Sequence, residues 1–314
     1  MGTVGHVGWG PARALTDAAL ATGLVQCATR IEDRLTRFRA DSEVARLDEK
    51  WREVSADTAA VLAAAEDLRR ATRGAFSALV GGRMRDRAPA GGRGAAAGPR
   101  PVTGRIEVAI GPAGPIGDTG KTDPDAWRAR VLGADPRAVD LGAIAKGYAA
   151  DRLRDLAVRR GATDVLVTLG RSSMARAGAP ARIALSSPWA GLEVFGTLVL
   201  EDAALSVSAD PGTVIGPGRR PSHALDPTTG LPARTDLCGV VVCGAEGMAC
   251  EAFSTAYLVL GLDAALELDR AHPELRPIFF TVDGRVLADP ELTVTAEPGA
   301  QRWLTAARSA AGCS

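Results

Sequence analysis

Apolar residues recur along this chain with two different periods, and the change from one to the other falls near its middle. Ala12 to Phe38 carries Leu15, Ala18, Ala19, Leu24, Ile31 and Leu35 on or near one helical face, which predicts a long amphipathic helix. A second helix is expected behind Asp57, whose carboxylate suits an N-cap, and runs through Leu62, Ala65 and Leu68 towards Arg73. Tyr148 to Arg159 repeats the helical spacing with Tyr148, Ala149, Leu153, Leu156 and Ala157. Beyond it the pattern shortens to strand-length apolar runs at 164–169, 181–186, 192–200, 204–208 and 239–243. Pro277 to Val282 and Val286 to Ala288 read as a hairpin about Asp283-Gly284. Helices return at Cys250 to Leu260 and Ala264 to Arg270, and short strands are expected in Met1 to Trp9 and Ile106 to Ile110. Long helices early and many strands later, without regular alternation, predict the α+β class.

Residues 83–104, rich in Arg, Gly, Ala and Pro, have no apolar period, and neither does the run from Gly111 to Asp125; both read as surface loops. The chain's 314 residues suffice for one large domain with a proper core. Charge narrows the function classes. Lys plus Arg equals Asp plus Glu at 37 each, and aromatics make up only 4%, so nucleic-acid binding loses both its electrostatic and its stacking argument. No apolar run reaches the roughly 18 to 20 residues of a membrane span. The first residues lack a basic segment followed by an apolar one, so a cytoplasmic location is expected. Cys27, Cys238, Cys243, Cys250 and Cys313 are odd in number and lack metal-ligand spacing, which reads as thiols in a reducing compartment.

Candidate chemistry concentrates in three stretches. In Val139 to Asp151 an apolar lead-in reaches Asp140, then the small residues Gly142, Ala143 and Ala145, then Lys146-Gly147 and a helix. Small residues let backbone approach a ligand closely, and a helix start aims free N–H groups at an anion. That combination suits a nucleotide-like ligand; taken alone it reads sooner as an ordinary strand-to-helix turn with a solvated lysine. In Pro221 to Leu231, the turn Asp226-Pro227-Thr228-Thr229-Gly230 follows His223, one of three histidines. His6 and His272 have no such context. In Glu251 to Gly261, Glu251 and Thr255 stand four apart on one helix face. Alone, that pair reads as a capping acid with a helix threonine. Cys250 has no cation or histidine beside it in sequence and reads as a small hydrophobe.

Taken together, Asp140-Leu-Gly-Ala-Ile-Ala-Lys-Gly-Tyr, His223-Ala-Leu-Asp-Pro-Thr-Thr-Gly and the 251–261 segment resemble the ApbE family, the magnesium-dependent FAD:protein FMN transferases. All three motifs stand in the family's order. Met1-Gly2-Thr3, Ser42 to Leu47, Thr72 to Phe76 and Ser206-Val207-Ser208 match weaker landmarks. The resemblance implies a two-lobed α+β domain over 1–295, with 83–104 a loop inside it, 296–314 a tail, and the flavin site between the lobes. It implies transfer of FMN from FAD to a Thr or Ser hydroxyl of an acceptor protein, with AMP leaving.

By that resemblance magnesium is held by Glu251, Thr255 and the carbonyl oxygens of Ala143 and Ser254. FAD is contacted by Met1, Asp140, Lys146 and Ser208, and His223 is the base, with Asp226 orienting it or shaping the pocket. Four positions depart from the family's pattern. Ser77 and Glu251 stand where Asp is usual, Ala209 where Gly is, and the turn after the 164–169 strand reads Gly170-Arg171-Ser172-Ser173 in place of Gly-Gly-Asp/Asn. Hydrolysis of FAD to FMN and AMP, or FAD binding without catalysis, are the alternatives these departures leave open.

Overall fold

The computed structural model describes residues 4–10, 17–86, 99–110, 126–134, 138–189, 191, 193–210, 222, 224–298, 300–301 and 304–306. In chain order its elements begin with β1 (Gly5–Gly8), α1 (Asp17–Leu35), β2 (Arg52–Val54), α2 (Ala56–Ala71), α3 (Gly81–Asp86), β3 (Arg105–Ile110) and β4 (Trp127–Leu132). Then come α4 (Ala145–Arg159), β5 (Val165–Leu169), β6 (Ser173–Ala177), β7 (Ala181–Ser186), β8 (Val194–Leu200) and β9 (Ala204–Ala209). The short strands β10 (Leu225–Asp226) and β11 (Leu231–Pro232) precede β12 (Leu237–Gly244), α5 (Gly247–Leu260) and α6 (Leu262–Asp269). Last are β13 (Arg276–Thr281), β14 (Val286–Ala288), β15 (Val294–Ala296) and β16 (Leu304–Ala306). The class is α+β, as the apolar periods predict. The chain divides into two units, one of residues 25–145 with 225–231, the other of 2–24, 146–224 and 232–314.

In the first unit an antiparallel sheet ordered β2-β4-β3 carries α2 against it. The helix begins one residue pair earlier than expected. Ser55, not Asp57, is its N-cap: the Ser55 hydroxyl accepts from the Thr58 amide, while Asp57 lies in the first turn and pairs with Arg34 Nη1 at 2.8 Å. A hydroxyl at the true cap position meets the free amides directly, whereas an acid further in acts through the helix dipole and nearby cations. At the other end Arg73 and Gly74 turn left-handed, at φ 53° and 85°, and the Gly74 amide closes on the Arg69 carbonyl. The following loop buries Phe76, Ala78 and Leu79 and docks on the Val139–Asp140 lead-in through Gly81 N to Ala138 O and Asp140 N to Ala78 O, both 2.7 Å.

α1 runs through residue 35, and its buried stripe is Leu20, Leu24, Cys27, Ile31 and Leu35. Ala18 and Ala19, expected on that face, are exposed. Small side chains register weakly in a periodicity, so an alanine-rich stretch leaves the phase of the stripe poorly defined.

The second unit is built on an eight-stranded sheet ordered β1-β5-β6-β9-β12-β13-β14-β16. Its described pairings are antiparallel except β14 with β16, which is parallel. Residues 304–306, read from the sequence as part of a tail, therefore supply a strand of this sheet. A second sheet, β15-β8-β7, belongs to the same unit, and an apolar core includes Phe195, Leu198, Leu205, Val241, Ile278 and Phe280. Phe280 meets Trp189 and Phe195 edge-on at 5.6 and 5.3 Å. On β12 the residues Leu237 to Cys243 are all buried, because α5 packs on it as well. A strand covered on both faces reads as a continuous apolar run rather than an alternating one.

Candidate functional site

The site in the second unit starts with a crossing of two helices. A Cβ added at Gly147 in α4 would lie 2.3 Å from both the carbonyl carbon and the oxygen of Gly247, and one added at Gly247 would lie 2.6 Å from the Gly147 oxygen. Only glycine fits at either place. One turn further along α4, Asp151 accepts the Gly247 amide at 2.7 Å, so an α4 side chain caps the first turn of α5. Burial pushes the Asp151 carboxyl up to about 6, with the Gly247 amide and then Arg154 pulling against it. The crossing sets Lys146, next to Gly147, against Glu251, one turn beyond Gly247.

Glu251 is 3% exposed. Its Oε1 lies 3.1 Å from Lys146 Nζ and also accepts a hydrogen bond from the Ser173 hydroxyl. Its Oε2 is buried with no hydrogen-bond partner among the described residues. Hydroxyls gather beside it: Ser254 Oγ donates to the Glu251 carbonyl at 3.1 Å and meets Ser208 Oγ at 2.9 Å and Ser206 Oγ at 3.2 Å. Ser208 Oγ also meets Thr255 Oγ1 at 3.2 Å. Strand alternation explains this supply. In β9, Leu205 and Val207 face the apolar core while Ser206 and Ser208 face α5, and Ser173 in β6 stands opposite Ser206 in register.

Taking a carboxylate out of water costs several kcal/mol unless it is paired and hydrogen-bonded. Glu251 meets that condition on one oxygen and leaves the other open to a cation or a donor. The donors at hand are all oxygens, carboxylate, hydroxyl and carbonyl, which is the set magnesium prefers. Among the described residues no three His, Cys, Asp or Glu side chains converge. A cation here would therefore have one charged protein ligand, Glu251, and neutral oxygens from Thr255 and Ser254 for the rest. On that chemistry the residues fit a hard divalent cation.

The first unit holds Asp140 and Ala143. Asp140 Oδ1 accepts the Gly142 amide at 2.9 Å, a local turn that shapes the small-residue stretch, and Oδ2 pairs with Arg37 Nε at 3.0 Å. Ser77, where the family has an acid, accepts the Leu79 amide and stabilises its own loop. Asp226 spends both oxygens on its turn, taking Thr228 N at 2.8 Å, Thr228 Oγ1 at 2.7 Å and Thr229 Oγ1 at 3.0 Å, with Gly230 at φ 68°. Met1 and His223 lie outside the described residues, as do the loop 111–125 and most of 83–104.

Some contributors had no sequence signal of their own. Arg37 lies in no motif, Asp151 reads as an ordinary helix residue, and Ser173 stands out only as the end of the turn after the 164–169 strand. Ser206-Val207-Ser208 did carry one, since polar residues alternating with apolar ones in a strand mark a polar face. Cys250 is fully buried and its thiol is held well above its usual value by desolvation, in keeping with a packing role. Cys27, Cys238 and Cys243 are likewise buried free thiols. His272 stacks on Phe253 at 4.4 Å between ring centroids and lies 3.1 Å from Glu274, away from any of these groups. Among the described residues no helix is long and apolar enough to cross a membrane.

Known proteins resemble this chain in sequence and in fold. The chain is similar to the FAD:protein FMN transferase of Haemophilus influenzae, 28% identical over 251 residues that make up 76% of this chain and 71% of that protein. To the protein of the same name from Escherichia coli strain K12 it is 31% identical over 138 residues, 42% of this chain and 39% of that one. Among solved structures, the flavin transferase ApbE from Vibrio cholerae superposes with a TM-score of 0.70 at 21% identity, covering 97% of this chain and 96% of that one. The ApbE protein of Thermotoga maritima gives 0.68, also at 21% identity, over 92% and 97%. At that identity the likeness speaks for the fold. The sequence model of the ApbE family matches residues 1–279. The chain therefore belongs to the ApbE family and is a transferase.

Proposed function

We propose that this chain moves FMN from FAD to a Thr or Ser hydroxyl of an acceptor protein, releasing AMP, with magnesium bound. The observation that carries the reading is Glu251, a buried carboxylate with one oxygen unpartnered among the described residues and hydroxyls clustered beside it. The family's relatives bear the name of that activity. The reaction breaks a pyrophosphate P–O bond and makes a phosphoester, against the repulsion between phosphate charge and nucleophile. Magnesium, when bound, supplies the neutralisation of that charge and a template for in-line attack.

Glu251 and Thr255 would hold it through carboxylate and hydroxyl, with the carbonyl oxygens of Ala143 and Ser254 as neutral ligands. Lys146 offers the phosphates a second positive charge. Asp140 accepts hydrogen bonds from the dinucleotide, its own orientation held by the Gly142 amide and Arg37; Met1 and Ser208 complete the grip. His223 takes the proton from the acceptor hydroxyl, and Asp226 holds the turn that presents it. The buried free thiols support a reducing compartment, the cytoplasm.

The experiment is AMP release from FAD with added magnesium, with and without a threonine-bearing acceptor peptide. Release that depends on the peptide, with flavin mass added to it, is the expected result; peptide-independent release points to hydrolysis and overturns transfer. The Lys146–Glu251 pair favours a second reading, because an internal ammonium already balances the charge of the carboxylate. A chain that binds FAD and releases no AMP is a flavin-binding protein without transfer.

A further inference from the structure

One departure from the family's sequence pattern, Glu251, touches the end of the turn that holds another, Arg171. Glu251 stands where an aspartate is usual, and Ser173 ends the altered turn Gly170-Arg171-Ser172-Ser173. Ser173 is fully buried in β6, and its hydroxyl donates to Glu251 Oε1. We infer that Ser173 is a positioning residue for Glu251: it fixes the longer acid so that Oε2 faces the cation. This rests on the metal site of the proposed function.

The argument is one of freedom and reach. A glutamate has one more rotatable bond than an aspartate, so holding its carboxylate in one place gives up more rotamer freedom. Magnesium tolerates little error in ligand position, so an unanchored glutamate is a poor substitute for a shorter acid. Ser173 and Lys146 both bind Oε1, from β6 and α4 respectively, while no described residue binds Oε2. An acid gripped from two elements at one oxygen has its other oxygen aimed. The hydroxyl is also fixed from behind, with Ser172 Oγ 3.3 Å away and Ser206 opposite in the neighbouring strand. Ser173 and the acid thus form one hydrogen-bonded unit.

The test is a double-mutant cycle on Mn2+ affinity, read by titration calorimetry or by the electron paramagnetic resonance of free Mn2+, with no flavin present. Ser173→Ala is expected to weaken Mn2+ binding about tenfold, the size of effect a hydrogen bond to a charged group carries. After Glu251→Asp, whose carboxylate is withdrawn from Ser173, the same substitution is expected to change affinity less than about twofold. Thermal unfolding without metal checks that each variant folds. If Ser173→Ala does not, Ser173→Cys keeps the volume with only a weak donor and carries the same expectation. Equal Mn2+ affinity in wild type and the Ser173 variant overturns the inference while leaving the metal site standing, as does an equal loss in both backgrounds. No Mn2+ binding by the wild-type chain overturns the metal site and the inference together.

Discussion

The two acids that matter most here, Asp140 and Glu251, are held in opposite ways. Asp140 is fixed locally: one oxygen takes the amide two residues on, the other a single arginine, and the side chain keeps some contact with solvent. Glu251 is fixed by assembly, with contacts from α4 and β6 meeting at an acid that α5 buries. The local arrangement satisfies its carboxylate; the assembled one leaves an oxygen open. A recognition group needs only to be presented, whereas a cation ligand must be both shielded from water and incompletely satisfied by the protein.

The largest expected effect strikes the assembled side. Glu251→Gln keeps the shape and removes the charge, and AMP release is expected to fall at least about a hundredfold, as the loss of a charged metal ligand or transition-state group does. A variant with wild-type release breaks the contrast outright. Next comes a pair of glycines. Gly147→Ala drives a methyl into the Gly247 backbone at 2.3 Å and is expected to cost about 3 kcal/mol or more of stability. In Gly142→Ala the new methyl meets only the Asp140 side chain, at 3.0 Å, so its cost should stay near about 1 kcal/mol. Urea denaturation of the two variants decides whether the helix crossing is as rigid as described.

Asp151 gives the contrast a pH dependence. Its folded carboxyl titrates near about 6, above the ordinary value of 3.8, chiefly because burial disfavours the charge. The folded chain therefore binds this proton more readily than the unfolded one. The associated stability is fully present below about pH 4 and is lost as pH rises through about 6, by up to about 3 kcal/mol. Asp151→Asn retains an acceptor for the Gly247 amide and should flatten the stability profile across that window; an unchanged slope between pH 4 and 6 would contradict the buried-cap description. The smallest effect belongs to the local side. Arg37→Ala removes one partner of a partly exposed carboxylate and is expected to weaken FAD binding only a few-fold, measurable by flavin fluorescence.

How much of this was legible follows the same division. Asp140 with its small residues and Lys146 could be read directly, because local turn chemistry is written in consecutive positions. So could the helix that carries Glu251 and the strand β12, whose double burial makes it uniformly apolar. Ser55 against Asp57 as the cap of α2 could not be decided by residue type, since either side chain caps well and only backbone geometry distinguishes them. Ser173 and Asp151 were silent because their partners lie 78 and 96 residues away. Long-range pairing leaves no local pattern. The strands β2 and β4 passed unnoticed because their arginines interrupt the apolar alternation of a strand.

The order of strands in the large sheet has a consequence in time. Its two edges are β1, at residues 5–8, and β16, at 304–306, the earliest and the latest of its strands. On the ribosome the first edge waits unpaired until β5 is made, and the last is absent until nearly the whole described chain has been synthesised. The sheet is complete only once β16 has added to β14, so the chain spends much of its synthesis with strand edges exposed to other molecules. A chaperone that shields those edges should therefore raise the yield of folded protein.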